Sequence, residues 1–451
     1  PVAALVATII YAMPPMVRVT IVALHGVPNE TRDVGVMVGC TRRQMMWKVI
    51  VPSAAPTLMV GVNQVIMLTL NMVIIASMIG AGGLGFDVLS ALRRLDIGGG
   101  IEAGLAIVVM AIALDRLSQA FASRNVATRA PDPNRNLFQR HPWVATVLLV
   151  AICTYLLSQV APALQAYPEA ATLSTGAFWS DFMGYINVHF FDVFETIKTA
   201  LLSYLLLPVK RFFVGIPWPW GIMAMTLIGW RAGGLWLAAL SGILTALIAM
   251  VGLWDKAMIT VYLCGVSVLI ASAIGIPMGI MAAQNDTANR VVGSFIDTLQ
   301  TLPSFVYLIP VVMLFRVGDF SAMIAVVLYA MAPAVRYAAH GIRSVDPQLI
   351  EAGLVSGCTP RQVLWRIKLP MAIPELLLGL NQTIMLALSM LVITALVGTR
   401  DLGQEVYIAL TKANSGQGIV AGLAVAFIAI VADRILSATA SRMRRKMGLE
   451  Q

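Results

Sequence analysis

The chain contains 451 residues, of which 59% are hydrophobic and 12% are charged. Soluble globular chains are about half apolar and about a quarter charged, so this composition excludes an ordinary soluble domain and indicates an all-α polytopic membrane protein. The net charge of +9 does not indicate nucleic-acid binding, because Lys and Arg cluster in short loops between apolar runs, as they do in the cytoplasmic connections of membrane proteins.

Apolar runs that are long enough to cross a bilayer recur along the chain, and we predict about 10–11 transmembrane helices. The chain opens "PVAALVATII", inside such a run and without Met, so we expect a fragment or a truncated form. The segment "FFDVFETIKTALLSYLLLPVKRFF" is predicted to be an amphipathic helix at the membrane interface. The other predicted spans lie near residues 55–79, 101–122, 142–162, 217–230, 235–253, 257–283, 292–315, 320–340, 372–397 and 418–440.

An internal repeat with an offset of 318 residues relates residues 11–116 to residues 329–434 without a gap. A gapless match over about a hundred residues indicates a duplication with both copies in the same direction. The repeat includes two basic loops, "GCTRRQMMWKVIVP" and "GCTPRQVLWRIKLP". About eight predicted spans separate these loops, an even number, so both loops and the basic C-terminus are predicted to face the cytoplasm.

The second of these loops is predicted to fold as an elbow of two short helices. Asp346 and Pro347 are typical of a helix start, and Gly357 is typical of the left-handed turn that ends a helix. Thr359 then caps a second helix, which we expect Pro370 to end.

One side of the first of these two helices is nearly bare of side chains, since it carries Ala352, Gly353 and Ser356. Small residues permit close approach of another backbone, which indicates a docking element for a cytoplasmic partner. The alternative is a short loop whose basic residues only follow the charge rule of membrane proteins.

The sequence "EAGLVSGCTPRQVLWRIKLP" resembles the EAA loop of ABC-transporter permeases, whose pattern is EAA, three residues, Gly, nine residues and I-x-L-P. We name residues 346–370 the second elbow and residues 28–52 the first elbow. The flanking "QTLPSFVYLIPVVMLF" and "GLNQTIMLALSMLVI" are similar to the glycine betaine/proline (quaternary amine) branch. Carried onto this sequence, the coupling-loop residues are Glu351, Ala352, Gly353, Gly357, Arg361, Ile367, Leu369 and Pro370, and in the first copy Asp33, Gly39, Arg43 and Pro52.

Both copies depart from the EAA pattern. Gly353 replaces its third letter, and Asp33, Val34 and Gly35 stand where the first elbow should read EAA. Asp33 keeps the carboxylate, so we expect docking to survive in the first copy.

The resemblance implies a tandem parallel repeat of type I-like importer permease domains. We predict a first, N-terminally incomplete unit at 1–122, a basic cytoplasmic linker with a connecting transmembrane helix at 123–185, and a second, complete unit at 186–451. It also implies a multi-pass protein of the bacterial inner membrane, with its C-terminus in the cytoplasm and membrane lipid around it.

The resemblance further implies a transport subunit for glycine betaine- or proline-like osmolytes, coupled through its elbows to ATP-binding cassette ATPase subunits. A periplasmic or lipid-anchored binding protein would deliver the substrate, and a second permease chain is an alternative to the use of both elbows of one chain. The sequence has no G-x-x-x-x-G-K-[ST], so we expect no cofactor in this chain and ATP only in the partner. "GAGGLG" at 80–85 is predicted to be a tight turn after a span.

Polar residues inside predicted spans are candidates for the translocation path, because such groups are costly within a bilayer. The alternative is that they form hydrogen bonds between helices. The candidates are Asp297, Thr298, Gln300, Thr301 and Ser304 in one span, Asn381, Gln382 and Ser389 in another, and Asn63, Gln64 and Asn71 in the first copy.

Two other functions remain open at this point. An ion-gradient-driven secondary transporter of small zwitterions can also contain internal repeats, although these are more often inverted. A membrane scaffold that recruits an ATPase without transport is the third possibility. A metal site is not expected, since the four histidines have no ligand spacing.

Overall fold

The computed structural model describes residues 2–78, 80, 82–94, 96–124, 142–160, 174–301 and 304–448. All regular structure in these ranges is helical, which confirms the predicted all-α class. Residues 125–141 of the predicted basic linker lie outside the described residues, and so do the side chains of Asn71, Thr301 and Ser304.

The chain forms two compact units. Unit one comprises Pro1–Ala4, Val73–Val108 and Asp181–Gln451, and unit two comprises Leu5–Met72 and Val109–Ser180. Eight stretches of the described chain are helical, long and apolar enough to cross a membrane, so this is a multi-pass membrane protein. They are Val2–His25, Arg42–Met78, Ile97–Ser118, Trp218–Met250, Trp254–Gln284, Asp319–Arg343, Pro360–Val397 and Ser415–Lys446.

The helices of the first repeat copy and of the segment that follows it are numbered in chain order. A π-helical turn, Met45–Ile50, joins α3 to α4. The bounds are α1 Val2–His25, α2 Asn29–Met37, α3 Arg42–Gln44, α4 Val51–Met78, α5 Leu84–Arg94, α6 Ile97–Arg124, α7 Pro142–Val160, α8 Gly176–His189, α9 Phe191–Leu201 and α10 Leu207–Val214.

The remaining helices belong to unit one. A second π-helical turn, Leu364–Lys368, joins α17 to α18. The bounds are α11 Trp218–Met250, α12 Trp254–Gln284, α13 Asp286–Thr301, α14 Ser304–Phe315, α15 Asp319–Arg343, α16 Pro347–Val355, α17 Pro360–Val363, α18 Leu369–Thr394, α19 Leu402–Thr411 and α20 Ser415–Lys446.

The two copies of the repeat have the same order of helices. α1 to α6 correspond to α15 to α20, and the paired bounds differ from the 318-residue offset by a few residues at most. The duplication read from the sequence is therefore also a duplication of secondary structure.

The main core lies in unit one, where α12, α15 and α18 pack against one another. α5 contributes to the same core, so a helix of the first repeat copy packs with helices of the second. Buried members include Val88, Leu92, Tyr262, Leu263, Val326, Met331, Met390 and Leu391. Unit two has a small core of Ala23, Val27 and Ala54 beside the first elbow.

α11 is a helical hairpin. Gly233 and Gly234 have non-helical dihedral angles, with φ of +79° at Gly234, and they separate residues 218–232 from residues 235–250. The two arms pack antiparallel, because the Ser241 hydroxyl donates to the Met225 carbonyl at 3.0 Å. These arms are the two helices predicted near 217–230 and 235–253.

The single span predicted near 292–315 is wrong, because two helices, α13 and α14, occupy this region. α13 is amphipathic rather than apolar. Ile296 is fully buried in the core of unit one, whereas Asp297 on the adjacent face is exposed.

The predicted amphipathic segment is helical, as α9, a π-helical turn and α10. Its apolar side faces the core of unit one, where Leu206 is buried, while Asp192 and Tyr204 are exposed. The Lys210 ammonium lies 2.6 Å from the Asp319 carboxylate and ties α10 to the start of α15.

Candidate coupling elbows and polar path residues

The second elbow begins with a well-capped helix. The Asp346 carboxylate accepts a hydrogen bond from the Gln348 amide at 2.8 Å, and Pro347 occupies the first position of α16. Gly357 then has φ of +83°, and the Cys358 amide donates to the Gly353 carbonyl at 3.0 Å. A left-handed glycine of this kind reverses the chain after a helix, as predicted.

The second helix of this elbow starts with a capping box. The Thr359 amide donates to the Gln362 side chain at 2.8 Å, and the Gln362 amide donates to the Thr359 hydroxyl at 3.4 Å. The expectation that Pro370 ends this helix is wrong, because α17 continues through the π-helical turn into α18. Pro370 is only the second residue of α18, a position where the missing amide costs little.

The first elbow repeats this geometry. Gly39 has φ of +78°, and the Cys40 amide donates to the Gly35 carbonyl at 3.0 Å. Thr41 and Gln44 form the equivalent capping box. Its first helix starts differently, because Pro28 stands at the N-cap and provides no side-chain hydrogen bond.

The glycine in place of the third EAA letter has a packing reason in both copies. A methyl group added to Gly353 would overlap the Ile367 side chain, and one added to Gly35 would meet the Met45 side chain at 2.7 Å. The helices of each elbow therefore touch at this glycine. Sequence reasoning noted the departure from the pattern but not this contact.

The outer surface of each elbow carries the same four kinds of side chain at positions 318 residues apart. Trp365 and Trp47 are 64% and 71% exposed, and Val355 and Met37 are 89% and 86% exposed. A carboxylate and a guanidinium accompany each pair, so each elbow presents acidic, apolar, aromatic and basic groups together. The charged members are Glu351 and Arg361 in the second elbow and Asp33 and Arg43 in the first, and all four are exposed.

The other predicted elbow residues divide by exposure. The structure exposes some of them and leaves others half-buried where the second elbow continues into α18. Ala352, Gly357, Gly39 and Pro52 are exposed, and Ile367, Leu369 and Pro370 are half-buried.

The polar candidates on α18 fall on two faces. Gln382 and Ser389, which are seven residues apart and therefore share a helix face, are exposed, as is Gln64 at the position equivalent to Gln382. Asn381 instead is 3% exposed, and its amide donates to the Asp433 carboxylate at 2.7 Å. Asn381 therefore joins α18 to α20 and is not open to a path.

The equivalent of Asn381 in the first copy is Asn63. Its side-chain carbonyl is buried and has no hydrogen-bond partner within the described chain. The side-chain carbonyl of Asn381 is likewise buried and without a partner within the described chain.

The α13 candidates are not equivalent to one another. The Asp297 carboxylate lies 2.7 Å from the Arg336 guanidinium, and both side chains are more than half exposed. The Thr298 hydroxyl donates to the Ser294 carbonyl at 2.8 Å, within its own helix, and Gln300 is half-buried. The ion pair links α13 to α15, and no local signal in the sequence could have paired residues so far apart.

A buried carboxylate that the sequence did not single out lies between α18 and α19. Asp401 is fully buried and caps α19, with its Oδ1 accepting from the Gln404 amide and the Thr399 hydroxyl, both at 3.1 Å. Its Oδ2 is also buried and has no partner within the described chain. Burial raises the pKa of the Asp401 carboxyl to about 6.

Sequence comparison places this arrangement in a known family. Residues 1–126 and 275–445 match the family of binding-protein-dependent transport system inner membrane components. The chain belongs to this family. The two matched segments contain the two elbows, one in each. Within the described residues, no group of three or more His, Cys, Asp or Glu side chains is arranged to hold a metal ion.

Two relatives match the chain along nearly all of its length. It is 39% identical, over 99% of its residues, to the trimethylamine N-oxide transport system permease protein of Pelagibacter ubique. It is 34% identical, over all of its residues, to the protein of the same name from Ruegeria pomeroyi. The chain spans 63% of the length of the first relative and 68% of the second.

A third relative matches only part of the family member. The glycine betaine transport system permease protein of Bacillus subtilis is 44% identical over 45% of this chain and 71% of its own length. The higher identity thus applies to one part of the chain, whereas the two matches above extend along the whole of it.

Proposed function

We propose that the chain is the transmembrane permease subunit of an ATP-driven importer for a small methylated osmolyte. The observation that carries the proposal is the pair of elbows, which share one fold and present the same four kinds of side chain on their outer surfaces. A surface that occurs twice fits a pair of identical partners. These partners are ATP-binding cassette ATPase subunits, which bind the ATP; this chain itself needs no cofactor.

The orientation of unit one follows from its basic end. The Arg444 guanidinium lies 2.5 Å from Glu375, and Glu375 lies on the first turns of α18, directly after the second elbow. The C-terminus and the second elbow are therefore at the same end of the bundle. By the charge rule this end is cytoplasmic in the bacterial inner membrane, and a periplasmic or lipid-anchored binding protein docks at the other end.

The substrate class is proposed from the relatives. Those that match the whole chain are named for trimethylamine N-oxide, and a partial match is named for glycine betaine. Both solutes are small, carry a methylated nitrogen with a formal positive charge, and have no net charge. We propose that Gln382, Ser389, Gln64 and Asn71 contribute to the path, supported by the exposure of the first three.

The two elbows allow two assemblies. In the simpler assembly, one chain docks one ATPase subunit on each elbow. The two permease halves are then the predicted domains at residues 1–122 and 186–451. In the other, two chains pair through their second halves and use Glu351 twice. Reversal of the charge of Asp33 distinguishes them, because only the first assembly needs the first elbow.

Uptake into proteoliposomes tests the proposal. The vesicles contain the chain, its ATPase and its binding protein, with ATP inside and no ion gradient, and uptake of labelled glycine betaine and trimethylamine N-oxide is measured. We expect ATP-dependent uptake that Glu351→Arg reduces more than tenfold. Asp192→Arg is the matched control, because it reverses an exposed carboxylate on α9, outside both elbows.

The outcomes separate the candidate functions. Uptake that needs an ion gradient and is indifferent to ATP and to Glu351 would show a secondary transporter instead. ATPase recruitment without uptake of either solute, in vesicles where the binding protein is active, would show a scaffold. Uptake of only one of the two solutes would fix the substrate within the proposed class.

A further inference from the structure

A cleft with a volume of about 1120 Å³ lies between the turn of the α11 hairpin and the C-terminal half of α20. Both helices belong to unit one. Neither the elbows nor the polar candidates contribute to this cleft. Its lining includes Gly233, Trp236, Leu240, Ile430, Arg434 and Arg445.

The charge of the cleft has one sign. Arg434, Arg442, Arg445 and Lys446 line it, and no carboxylate does so within the described chain. The neighbouring Arg444 does not line the cleft, and its guanidinium is paired with Glu375. Arg434 and Arg445 are eleven residues apart and thus share one face of α20, about 16 Å apart along the helix axis, and both line the cleft.

The turn of the hairpin is held against this basic face. The Arg442 guanidinium donates to the Arg231 carbonyl at 2.5 Å, and Gly233 lies beside Ala438, where an added methyl group would make an ordinary van der Waals contact at 3.5 Å. These contacts hold the hairpin turn against the end of the cleft lined by Arg442, Arg445 and Lys446, which we call its mouth.

Away from the mouth the cleft becomes apolar. The second arm of α11 runs antiparallel to α20, since Gly233 lies beside Ala438 while Ile248 and Ala424 share a buried cluster. Leu240 and Ile430 consequently line the end nearer the middle of the bundle. Trp236 is 81% exposed near the mouth, where a membrane–water interface favours tryptophan.

A second, smaller cleft of about 380 Å³ lies on the other side of Arg442. Arg442 and Lys446 line both clefts, and the smaller one is otherwise mostly apolar, with Ile228, Ile435 and Met443. The basic residues at the end of α20 are therefore flanked by two apolar channels.

We propose that this basic mouth binds the phosphate of an anionic phospholipid, with an acyl chain in each flanking cleft. Basic pockets between membrane helices on the cytoplasmic side are suited to anionic head groups. A free phosphate ion would use the guanidinium groups but not the two apolar channels, so the lipid is the better fit. Placement in the cytoplasmic leaflet rests on the orientation proposed above, whereas lipid binding itself does not depend on transport.

Native mass spectrometry of the full chain in a neutral detergent tests this site, with phosphatidylglycerol or phosphatidylcholine added at increasing concentration. We expect tight retention of phosphatidylglycerol and weaker retention of phosphatidylcholine. The variant Arg434→Gln/Arg445→Gln should bind phosphatidylglycerol about 30-fold more weakly, since each basic residue contributes a factor of about five near a membrane surface.

The control variant Arg211→Gln/Arg290→Gln removes two exposed cations that lie outside the elbows and do not line the cleft, and it should retain wild-type affinity. Equal affinity of the wild type and the cleft variant, or equal retention of both lipids by the wild type, would overturn the proposal. Competition by millimolar inorganic phosphate as effective as that by phosphatidylglycerol would show an anion site and would also overturn it. If the cleft variant does not fold, loss of wild-type selectivity for phosphatidylglycerol at raised ionic strength provides the same test.

Discussion

Replacement of Asp401 by asparagine should stabilise the chain at neutral pH. This carboxylate is fully buried at the start of α19, in a loop outside the candidate membrane spans, and one of its oxygens has no partner within the described chain. Asparagine has nearly the same shape and can still accept the N-cap hydrogen bond from the Gln404 amide. The substitution therefore removes the buried charge with little other change.

The size and sign of the effect follow from the pKa of this group. Burial raises the pKa of Asp401 from 3.8 to about 6, so the folded chain holds the proton more tightly than the unfolded chain. The contribution of Asp401 to the free energy of unfolding is therefore largest below pH 3.8, falls as the pH rises from 3.8 to about 6, and is constant above that range. A difference of about two pKa units corresponds to a loss of about 3 kcal/mol.

The measurement is the unfolding of purified wild type and Asp401→Asn in detergent at pH 4 and pH 7. The advantage of the variant should grow by about 2 kcal/mol between these two pH values, because part of the loss has already occurred at pH 4. Asp346→Asn makes the same exchange at the N-cap of α16, where the side chain is exposed. An advantage of Asp401→Asn that is equal at both pH values, or a pH-dependent gain of equal size at Asp346, would refute burial as the cause.

Three further substitutions test the packing of the elbow and the path. Gly353→Val should force the elbow helices apart and abolish ATP-dependent uptake. Ile367→Ala in the same chain should restore part of that uptake, because it removes the side chain that the valine would overlap. If uptake is not restored, the proposed contact is contradicted. Gly357→Ala should lower the free energy of unfolding by about 1–2 kcal/mol, because its φ is +83°, and an unchanged denaturation midpoint would argue against the left-handed turn. Asn381→Leu should cost about 1–3 kcal/mol by leaving the Asp433 carboxylate without its amide donor, whereas Gln382→Leu on the exposed face should cost much less in the same assay.

The elbows show how much local structure was predictable. Thr359 and Gly357 occupy positions whose capping and left-handed geometry follow from residue type alone, and the structure has both features. The prediction for Pro370 was wrong because it assumed that an α-helical hydrogen bond would be lost. The preceding π-helical turn changes that bonding pattern, and residue composition does not report such a turn.

Contacts between helices that are distant along the chain could not be predicted from the sequence. The ion pair between Arg336 and Asp297 depends on how α13 packs beside α15. Asp401 was not singled out from the sequence, because burial of a loop carboxylate depends on the helices around it. The prediction of a single span near 292–315 was wrong for a different reason. Hydropathy averaged over this region does not reveal that α13 is amphipathic.

The fusion of both repeat copies in one polypeptide has a practical consequence. In a permease built from two identical chains, every substitution falls on both halves at once. Here Asp33 and Glu351 can be substituted singly or together, so the contact of each elbow with its proposed ATPase subunit can be tested separately. Comparing the uptake rates of the two single variants with that of the double variant shows how many intact elbow–ATPase contacts a transport cycle requires.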